Sequence, residues 1–211
     1  MVNIFMIGHS NYPLEQFKEM LQRENISVLY DIRLMPFSRY VPQFNQTTLP
    51  SELSKWGVEY KYCKDLGPRV EGDGPVFDKN GFNYQNALNR VRIVNGLKDI
   101  IEESSALENI AIMATKREPL ECHRFLVLSP VLKEMGYNVS HILPNETISN
   151  ETCEGNLIDI LKRRVKRKTV VVPEECDILY YAYFAQAEKI AKVGMKKYGN
   201  LRKKLSKNFK A

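Results

Sequence analysis

Cysteine and histidine are scarce in this sequence, and their spacing argues against two classes of protein. The 211 residues include four cysteines, without a C-x-x-C pair, and three histidines, none at the spacing of zinc ligands. Zinc ligands are usually closely spaced in sequence, and stable disulfides are typical of exported proteins, for which this sequence carries no signal. We therefore expect free thiols in a reducing cytoplasm, and no bound metal or other cofactor.

Long hydrophobic runs are also missing. The apolar segment at residues 2–8 is far shorter than the roughly 20 residues of a membrane-spanning helix, and it alternates like a β-strand. No later segment approaches a spanning length. The composition, 44% hydrophobic and 27% charged, is that of an ordinary globular protein. We expect a cytoplasmic protein with no membrane association.

Charge is distributed unevenly along the chain. Residues 1–161 contain 16 Lys and Arg against 21 Asp and Glu, a net charge of −5, whereas residues 162–211 contain 15 against 4, a net charge of +11. Such an asymmetry suggests a polyanionic partner. We therefore divide the chain into an α/β domain at 1–161 and a basic, mainly helical extension at 162–211. The sequence does not indicate an oligomeric state.

Segments with strand and helix periodicity alternate through the first part of the chain. Strands are predicted at residues 2–8, 26–33, 58–63, 109–115 and 138–143. This alternation predicts a parallel sheet of about five strands with helices on both faces, Rossmann-like or flavodoxin-like. Residues 65–82, rich in Gly, Pro and Asp, are too long for a simple connection and predict a surface loop or lid. A helix is predicted at 119–136, and Pro130 should kink or split it.

Polar side chains follow the first two predicted strands. His9 and Ser10 come directly after the first strand, Arg33 ends the second, and Ser38 and Arg39 lie in the loop that follows. In parallel α/β sheets, ligands bind beyond the carboxyl ends of the strands. These residues are therefore candidates for a binding site at that edge of the sheet.

A second polar cluster follows the fourth predicted strand. Lys116 and Arg117 come directly after it, and Cys122, His123 and Arg124 stand at the start of the next helix. A helix N-terminus favours anions, and guanidinium groups bind phosphate or carboxylate groups bidentately. We predict that the two clusters form one cationic pocket for an anion, with Ser10, Arg33, Ser38, Arg39, Lys116 and Arg124 as binding residues.

Three residues of this pocket are candidates for catalysis. His123 and His9 could act as a general acid or base near neutral pH, and Cys122 is a conditional nucleophile whose pKa nearby cations would lower. Each also has a structural interpretation. Cys122 could be a small buried hydrophobe, His9 a hydrogen-bonded core histidine, and His123 a capping or surface residue.

The binding residues have structural interpretations as well. Arg33 could form an ion pair with Asp31, and Arg124 could pair with a nearby glutamate. Ser38 could merely be a turn residue. Phe44, in the same loop, is more often a packing residue than a stacking one. The sequence leaves these alternatives open.

The basic extension suggests a different activity. A run of cations at 162–168 and a lysine-rich C-terminus would neutralise nucleic-acid phosphates. The predicted nucleic-acid contacts are Lys162, Arg163, Arg164, Lys166, Arg167, Lys168, Lys196, Lys197, Arg202, Lys203 and Lys204. A helix that docks an apolar stripe on the domain and directs its lysines outward would produce the same pattern.

Four segments in order resemble one known family. They are "IGHSNYPLEQF", "VLYDIRLMPFSRYVPQFN", "VEYKYCKDLG" and "EPLECHR…HIL", and together they cover roughly residues 1–145. The chain resembles the family named domain of unknown function 488. The resemblance implies a compact α/β domain whose motif positions are His9, Ser10, Arg33, Ser38, Arg39, Cys122, His123 and Arg124.

This sequence departs from the family pattern in one place. Members of the family typically carry Cys-x-Glu at the end of the fourth strand, ahead of the Cys-His-Arg triplet. Here Ala114 stands where that cysteine is expected, and Lys116 replaces the acid. A mechanism that needs two thiols could therefore not run unchanged, and the predicted pocket is more cationic.

Two functions of different class follow from these patterns. The first is an enzyme, or a former enzyme, that binds a phosphorylated small molecule or nucleotide in the cationic pocket. The second is a non-catalytic nucleic-acid-binding protein that uses the basic extension. A basic extension that delivers a nucleic acid to the pocket would combine the two.

Overall fold

The computed structural model describes residues 2–67, 77–78, 81–82, 91–174 and 176–190. Its main sheet has six strands. They are β1 (Asn3–Gly8), β2 (Val28–Asp31), β3 (Glu59–Tyr62), β6 (Asn109–Ala114), β7 (Val139–Ile142) and β8 (Thr147–Ser149). The first five are parallel and β8 pairs antiparallel with β7, in the order β3-β2-β6-β1-β7-β8. β4 (Phe77–Asp78) and β5 (Gly81–Phe82) form a separate antiparallel pair.

Six helices accompany the sheet in the described part of the chain. They are α1 (Leu14–Arg23), α2 (Leu49–Lys55), α3 (Val91–Glu103), α4 (Ser129–Glu134), α5 (Asn150–Lys166) and α6 at residues 178–190. Buried side chains of α1 and α2 share one core cluster, and those of the other four share a second. The two clusters lie on opposite faces of the sheet. The α/β class, with a mainly parallel sheet between helices and with helices at the C-terminus, is therefore confirmed.

The periodicity of the sequence explains these layers. All four residues of β2 are buried, as expected of a central strand covered on both faces. In α1 the buried side chains are Phe17, Met20 and Leu21, at the i, i+3 and i+4 spacing of one helical stripe. Alternate residues of each central strand thus contribute to opposite cores.

Two details of the sheet were not predicted. β8 has only three residues, none of them fully buried, so it carries no strand periodicity in the sequence. The strand order is also neither of the two common orders of doubly wound sheets.

Most of the loop or lid predicted at 65–82 lies outside the described residues. None of the described helices is both long and apolar enough to cross a membrane.

The domain boundary placed after residue 161 stays a prediction. α5 runs from Asn150 to Lys166 without interruption, so it crosses that boundary. α6 contributes Ala182, Tyr183 and Ala185 to the same core cluster as the sheet. The described part of the extension therefore packs on the α/β layers.

The two central strands, β1 and β6, are followed by helices on opposite faces of the sheet. β1 leads to α1 on one face, whereas the neighbouring β6 leads to the helix around Phe125 on the other face. Strands with oppositely directed connections separate at their carboxyl ends, and ligands of open α/β sheets bind there. A ligand-binding site is therefore expected at the carboxyl ends of β1 and β6.

Candidate functional site

The ends of β1 and β6 approach each other very closely. A Cβ atom on Gly8 would overlap the carbonyl oxygen of Lys116 and would lie 2.6 Å from its carbonyl carbon. His9 and Ser10 continue the pairing, since their amides donate to the carbonyls of Ala114 (3.1 Å) and Thr115 (3.0 Å). Only glycine fits at position 8, and the loop after β6 is held against β1.

Arg124 fixes the same loop from beneath. Its side chain is fully buried, and its guanidinium donates to the backbone carbonyls of Lys116 and, over 2.8 Å, Arg117. Nε of Arg124 is buried and has no hydrogen-bond partner in the described part of the chain. Arg124 is therefore bound to backbone carbonyls, and it forms no ion pair with a glutamate among the described residues.

His9 and Arg33 come together on the other side of the sheet. Nη1 of Arg33 lies 3.2 Å from Nε2 of His9, and Nδ1 of His9 lies 2.8 Å from the carbonyl oxygen of Ser10. Arg33 is always a donor, so Nε2 accepts and Nδ1 carries the proton. Burial and the charge of Arg33 lower the pKa of His9 to about 4. His9 is thus a neutral, hydrogen-bonded core histidine.

Arg33 is bound to protein groups at almost every donor. Its Nε and Nη2 donate to the two carboxylate oxygens of Asp31 over 2.8 Å and 2.6 Å, and Nη2 also donates to the carbonyl of Phe44 over 2.7 Å. The hydroxyl of Tyr60 donates to Asp31 over 2.7 Å. The ion-pair interpretation of Arg33 is the one that the structure shows. Phe44 is fully buried and packs against His9.

Cys122 occupies the N-cap position of the helix that follows it. Its φ and ψ of −124° and 142° are extended, and the helix begins at His123, not at Pro119 as predicted. The separate 3₁₀ turn Pro119–Glu121 precedes it. Burial raises the pKa of the Cys122 thiol, but the charge of Arg124, the charge and hydrogen bond of His123 and a backbone N–H lower it more, to about 6. The surroundings of the thiol therefore favour its anionic form.

His123 lies directly beside this thiol. Its Nδ1 lies 3.7 Å from Sγ of Cys122, and the side chain is half-buried. Nε2 is buried and has no hydrogen-bond partner among the described residues. Gln186 of α6 borders the same turn: its Nε2 donates to the carbonyl of Leu120 over 2.9 Å, and its Oε1 has no described partner. Two buried polar atoms without a described partner, Nε2 of His123 and Oε1 of Gln186, therefore lie near Cys122.

The helix after Cys122 begins with a π turn, at Arg124–Leu128, before it becomes α4. Pro130 has no N–H to donate to the carbonyl of Leu126. The amide of Ser129, just before it, donates to the carbonyl of Arg124, five residues back, which is the π pattern. The predicted break at Pro130 takes this form. The wider turn places both Arg124 and Phe125 in the core.

Ser10, Ser38, Arg39 and Lys116 lie at the surface of the site. The Ser38 hydroxyl accepts from the amide of Tyr40 over 3.1 Å, which is a turn contact. Nζ of Lys116 lies 3.5 Å from the Glu121 carboxylate, and Arg39 is exposed. Ser10 has a positive φ of 46°. The structure thus joins His9 to Arg33 and places Cys122 beside His123, and Arg39 has no hydrogen bond to either group among the described residues.

A shallow cavity of about 290 Å³ lies beside the loop that follows β2. It is lined by Leu34, Met35, Pro36, Phe37, Gln46 and Thr47. None of the predicted binding residues lines it. These aromatic and apolar loop residues were not predicted, although the segment "LMPFSRY" joins them to Arg39 in the sequence.

The cations at 162–168 differ in their surroundings. Arg164 donates to the carbonyl of Ala185 over 3.1 Å and so anchors α6 to α5. The side chains of the other five are exposed: Lys162, Arg163, Lys166, Arg167 and Lys168. The remaining predicted contacts, at Lys196, Lys197, Arg202, Lys203 and Lys204, lie outside the described residues.

Possible metal ligands do not gather in the part of the chain that the structure describes. No group of three or more His, Cys, Asp or Glu side chains is placed to hold a metal ion there. All four cysteines are free thiols, and Ala114 is buried at the end of β6.

Comparison with known proteins identifies one family. No curated protein and no solved structure matches the chain. A family model matches residues 13–130, which is more than half of the chain and includes β2, β3, β6 and the Cys122–Arg124 triplet. The chain therefore belongs to the family described as "Domain of unknown function DUF488".

Proposed function

We propose that this protein is a thiol-dependent enzyme that acts on a phosphate-bearing substrate, such as a nucleotide, at the carboxyl ends of β1 and β6. Cys122 is the nucleophile, and His123 is its acid-base partner. Lys116 and Arg117, in the loop held by Arg124, bind the phosphate. The observation that carries the proposal is the position of the Cys122 thiol, 3.7 Å from Nδ1 of His123 and next to the buried Arg124.

Three features favour a reactive thiol at this position. A helix N-cap gives the sulfur the positive end of a helix dipole and a backbone N–H, as in other low-pKa cysteines. Arg124 adds a buried positive charge. By contrast, burial raises the pKa of Cys153 to about 12 and also raises that of Cys63. Cys122, whose surroundings lower its pKa, thus lies beside the half-buried His123.

The cations that remain available support an anionic substrate. The guanidinium of Arg33 is paired with Asp31 and that of Arg124 with backbone carbonyls, so both act on the site through position and charge. Lys116 and Arg117 are exposed, and the guanidinium of Arg117 lies 5.7 Å from the ring centre of Tyr12. Two exposed cations next to a helix N-terminus suit a phosphate group.

His9 has a different role from His123 in this proposal. Both of its ring nitrogens are hydrogen-bonded, and burial and Arg33 lower its pKa to about 4. A neutral histidine with no free nitrogen transfers no proton near neutral pH. His9 therefore positions the turn after β1, and proton transfer falls to His123. With Ala114 in the place of a second thiol, the chemistry uses one sulfur.

Alkylation kinetics test the proposal. A variant with Cys63→Ser, Cys153→Ser and Cys176→Ser keeps Cys122 as its single cysteine. We expect its reaction with iodoacetamide to follow an apparent pKa of about 6, and nucleoside phosphates to slow it. A matched variant that keeps only Cys153 should react far more slowly at neutral pH, because the pKa of that thiol is about 12.

His123→Ala in the single-cysteine background should raise the apparent pKa of Cys122, because His123 lowers it by charge and hydrogen bonding. Lys116→Ala with Arg117→Ala should remove the protection by nucleoside phosphates and leave that pKa nearly unchanged. An apparent pKa near the ordinary 9.0 of a thiol, with no protection by any phosphate compound, would reject the proposed function.

A second candidate function rests on the exposed cations of α5. Lys162, Arg163, Lys166, Arg167 and Lys168 are exposed on the last turns of this helix and just beyond it. Such a basic surface binds nucleic-acid phosphates without reading bases. Replacement of all five by alanine should abolish salt-sensitive binding of duplex DNA or RNA. Unchanged binding would exclude this surface.

A further inference from the structure

The loop at residues 34–41, here called the rim loop, is held firmly at its base. The amide of Ser38 donates to Oδ1 of Asn45 over 2.6 Å, and the amide of Gln46 donates to the carbonyl of Pro36 over 2.8 Å. On the other side, the hydroxyl of Tyr62 donates to the carbonyl of Leu34 over 3.2 Å. The backbone of the rim loop is therefore fixed by contacts from two different segments.

Its side chains nevertheless point into solvent. Met35 is 74% exposed, Phe37 63% and Tyr40 91%, and Leu34 beside them is 37% exposed. Large apolar side chains that stand together on a surface are uncommon unless they contact a ligand or partner. A braced loop that presents several of them has the properties of a binding surface.

The cavity beside the rim loop is small and open to solvent. Its volume of about 290 Å³ is just below the range of ligand sites, about 300–1,000 Å³, so it could hold only a small group. Phe37, Pro36 and the Leu34 and Met35 side chains form its apolar wall. Gln46 and Thr47 supply its polar groups, and their side chains make no hydrogen bond within the described residues. A carboxamide of this kind can pair with the edge of a base.

The charge around the rim loop favours an anion. Arg39 lies between Phe37 and Tyr40 in the sequence, and it forms no ion pair or hydrogen bond with the described part of the chain. Residues 32–51 contain no aspartate or glutamate. The combination of exposed aromatic rings, a free guanidinium and no carboxylate complements a chain of bases joined by phosphates.

We propose that the rim loop binds single-stranded nucleic acid. One unstacked base enters the cavity against Phe37, where Gln46 and Thr47 contact its edge. A neighbouring base stacks on Tyr40, and Arg39 binds the phosphate between them. The inference rests on the proposed function, since it identifies the strand as the source of the phosphate-bearing substrate. It assigns recognition to residues that the thiol chemistry does not use.

Stacking distinguishes this partner from an apolar protein surface. Leucine preserves apolar bulk but has no π face, so a protein partner would tolerate Phe37→Leu and Tyr40→Leu, whereas a base would not. The abasic form of an oligonucleotide makes the reciprocal change, because it keeps every phosphate and removes the bases. The basic surface on α5 would bind both forms equally.

The experiment is a fluorescence anisotropy titration of the full chain with a labelled ten-nucleotide single strand and with its abasic counterpart. We expect the abasic strand to bind at least tenfold more weakly. Phe37→Leu with Tyr40→Leu should weaken binding of the normal strand roughly tenfold or more, as loss of base stacking does. Arg39→Ala should weaken both strands and reduce the salt dependence.

Three control variants isolate the rim loop. Val171→Ala changes a side chain that is 82% exposed elsewhere, and it should leave binding unchanged. Alanine at Lys162, Lys166, Arg167 and Lys168 should preserve the difference between the normal and abasic strands. Cys122→Ser should also preserve it, since the proposed nucleophile is not a base contact. Mononucleotides compete only weakly if the two aromatic residues hold successive bases.

Equal binding of the two strands, or unchanged binding by the leucine variant, would overturn the inference. This outcome leaves the alkylation profile of Cys122 untouched, so it would not bear on the proposed function. Conversely, an ordinary Cys122 pKa together with base-dependent binding would reject the thiol enzyme and keep the rim loop as a nucleic-acid site.

Discussion

The Arg33 guanidinium holds the Asp31 carboxylate bidentately, with Nη2 2.6 Å from Oδ2 and with both side chains buried. The same guanidinium bonds to His9 and to the carbonyl of Phe44, so it joins the ends of β1 and β2 to the segment beyond the rim loop. A cation at the carboxyl edge of the sheet is thereby used to build the site and is not left for a ligand.

Asp31→Asn should strongly destabilise the fold, because it leaves the charge of Arg33 buried without a partner. Breaking one side of a buried ion pair costs about 3–5 kcal/mol. Urea denaturation measures the loss. Glu15→Gln is the control, because the Glu15–Lys18 pair lies on the surface, with Glu15 71% exposed, and should not shift the midpoint. Equal effects of the two variants would contradict a structural role for Asp31.

Gly8→Ala should also destabilise the protein, since the new methyl group would overlap the Lys116 carbonyl that Arg124 binds. We expect a loss of at least about 1–3 kcal/mol, as for overpacked cores, from thermal or urea unfolding. Gly155→Ala is matched to it: nothing lies within 4 Å of a Cβ on this α5 glycine. That substitution should stabilise the helix by up to about 1 kcal/mol. A neutral Gly8→Ala would refute the close approach.

Stability should fall as pH drops from about 6.5 to 4, because two histidines are buried in their neutral form. Burial lowers the pKa of both His9 and His141 to about 4, while their unfolded value is 6.5. Between these values the unfolded chain binds more protons, so each histidine lowers stability by up to about 1.4 kcal/mol per pH unit. Urea midpoints at pH 7, 6 and 5 measure the slope.

His141→Asn should flatten that slope, although it also lowers stability at pH 7. His141 is fully buried, and its Nε2 lies 3.1 Å from Oδ1 of Asn150. The same slope in this variant and in the native sequence would show that His141 does not contribute.

Between pH 6 and 9, stability should rise with pH because of Cys122. Its pKa is about 6 in the folded chain and near 9.0 when unfolded, so the unfolded thiol holds the extra proton in this range. The contribution is fully present above the unfolded value and is lost as pH falls through 6. Cys122→Ser should remove this dependence, as measured by denaturation, whereas Cys176→Ser should keep it.

Tyr183→Ala should cost about 3–5 kcal/mol, like other large-to-small changes of buried aromatic residues. Tyr183 is 4% exposed, its ring centre lies 5.0 Å from that of Phe125, and its hydroxyl donates to Glu154 over 3.3 Å. Lys189→Ala, at an exposed position of the same helix, is the control. A small effect of Tyr183→Ala on the unfolding midpoint would mean that α6 is a dispensable appendage.

The layers of the fold were predictable because burial leaves a mark on composition. β1, β2 and β6 are short, mainly apolar segments, and α1 carries a helical stripe, so each element could be recognised from its own residues. β8 could not, because three half-exposed residues have no period. The start of the helix at His123 was missed since Pro119 favours a helical first turn, and here that turn is a separate 3₁₀ turn.

The unusual residues of the candidate site could be recognised in the sequence, but most of their hydrogen-bond partners could not. Cys122, His123 and Arg124 are conspicuous in the sequence. The pairing of Arg33 with Asp31 could be considered because Asp31 is only two residues before Arg33. The partners of Arg124 are backbone carbonyls, which every residue has, so no sequence pattern reveals them. Gln186 reaches the site only through the packing of α6.

The packing of α6 also bears on the order in which the protein folds during its synthesis. Residues 178–190 leave the ribosome after the whole sheet has been synthesised, yet they supply Gln186 to Leu120 and Tyr183 to the ring of Phe125. The sheet can pair its strands before this helix exists, whereas the surroundings of Cys122 are complete only after residues 178–190 have been synthesised. The nascent protein therefore acquires its scaffold first and its finished thiol corner last.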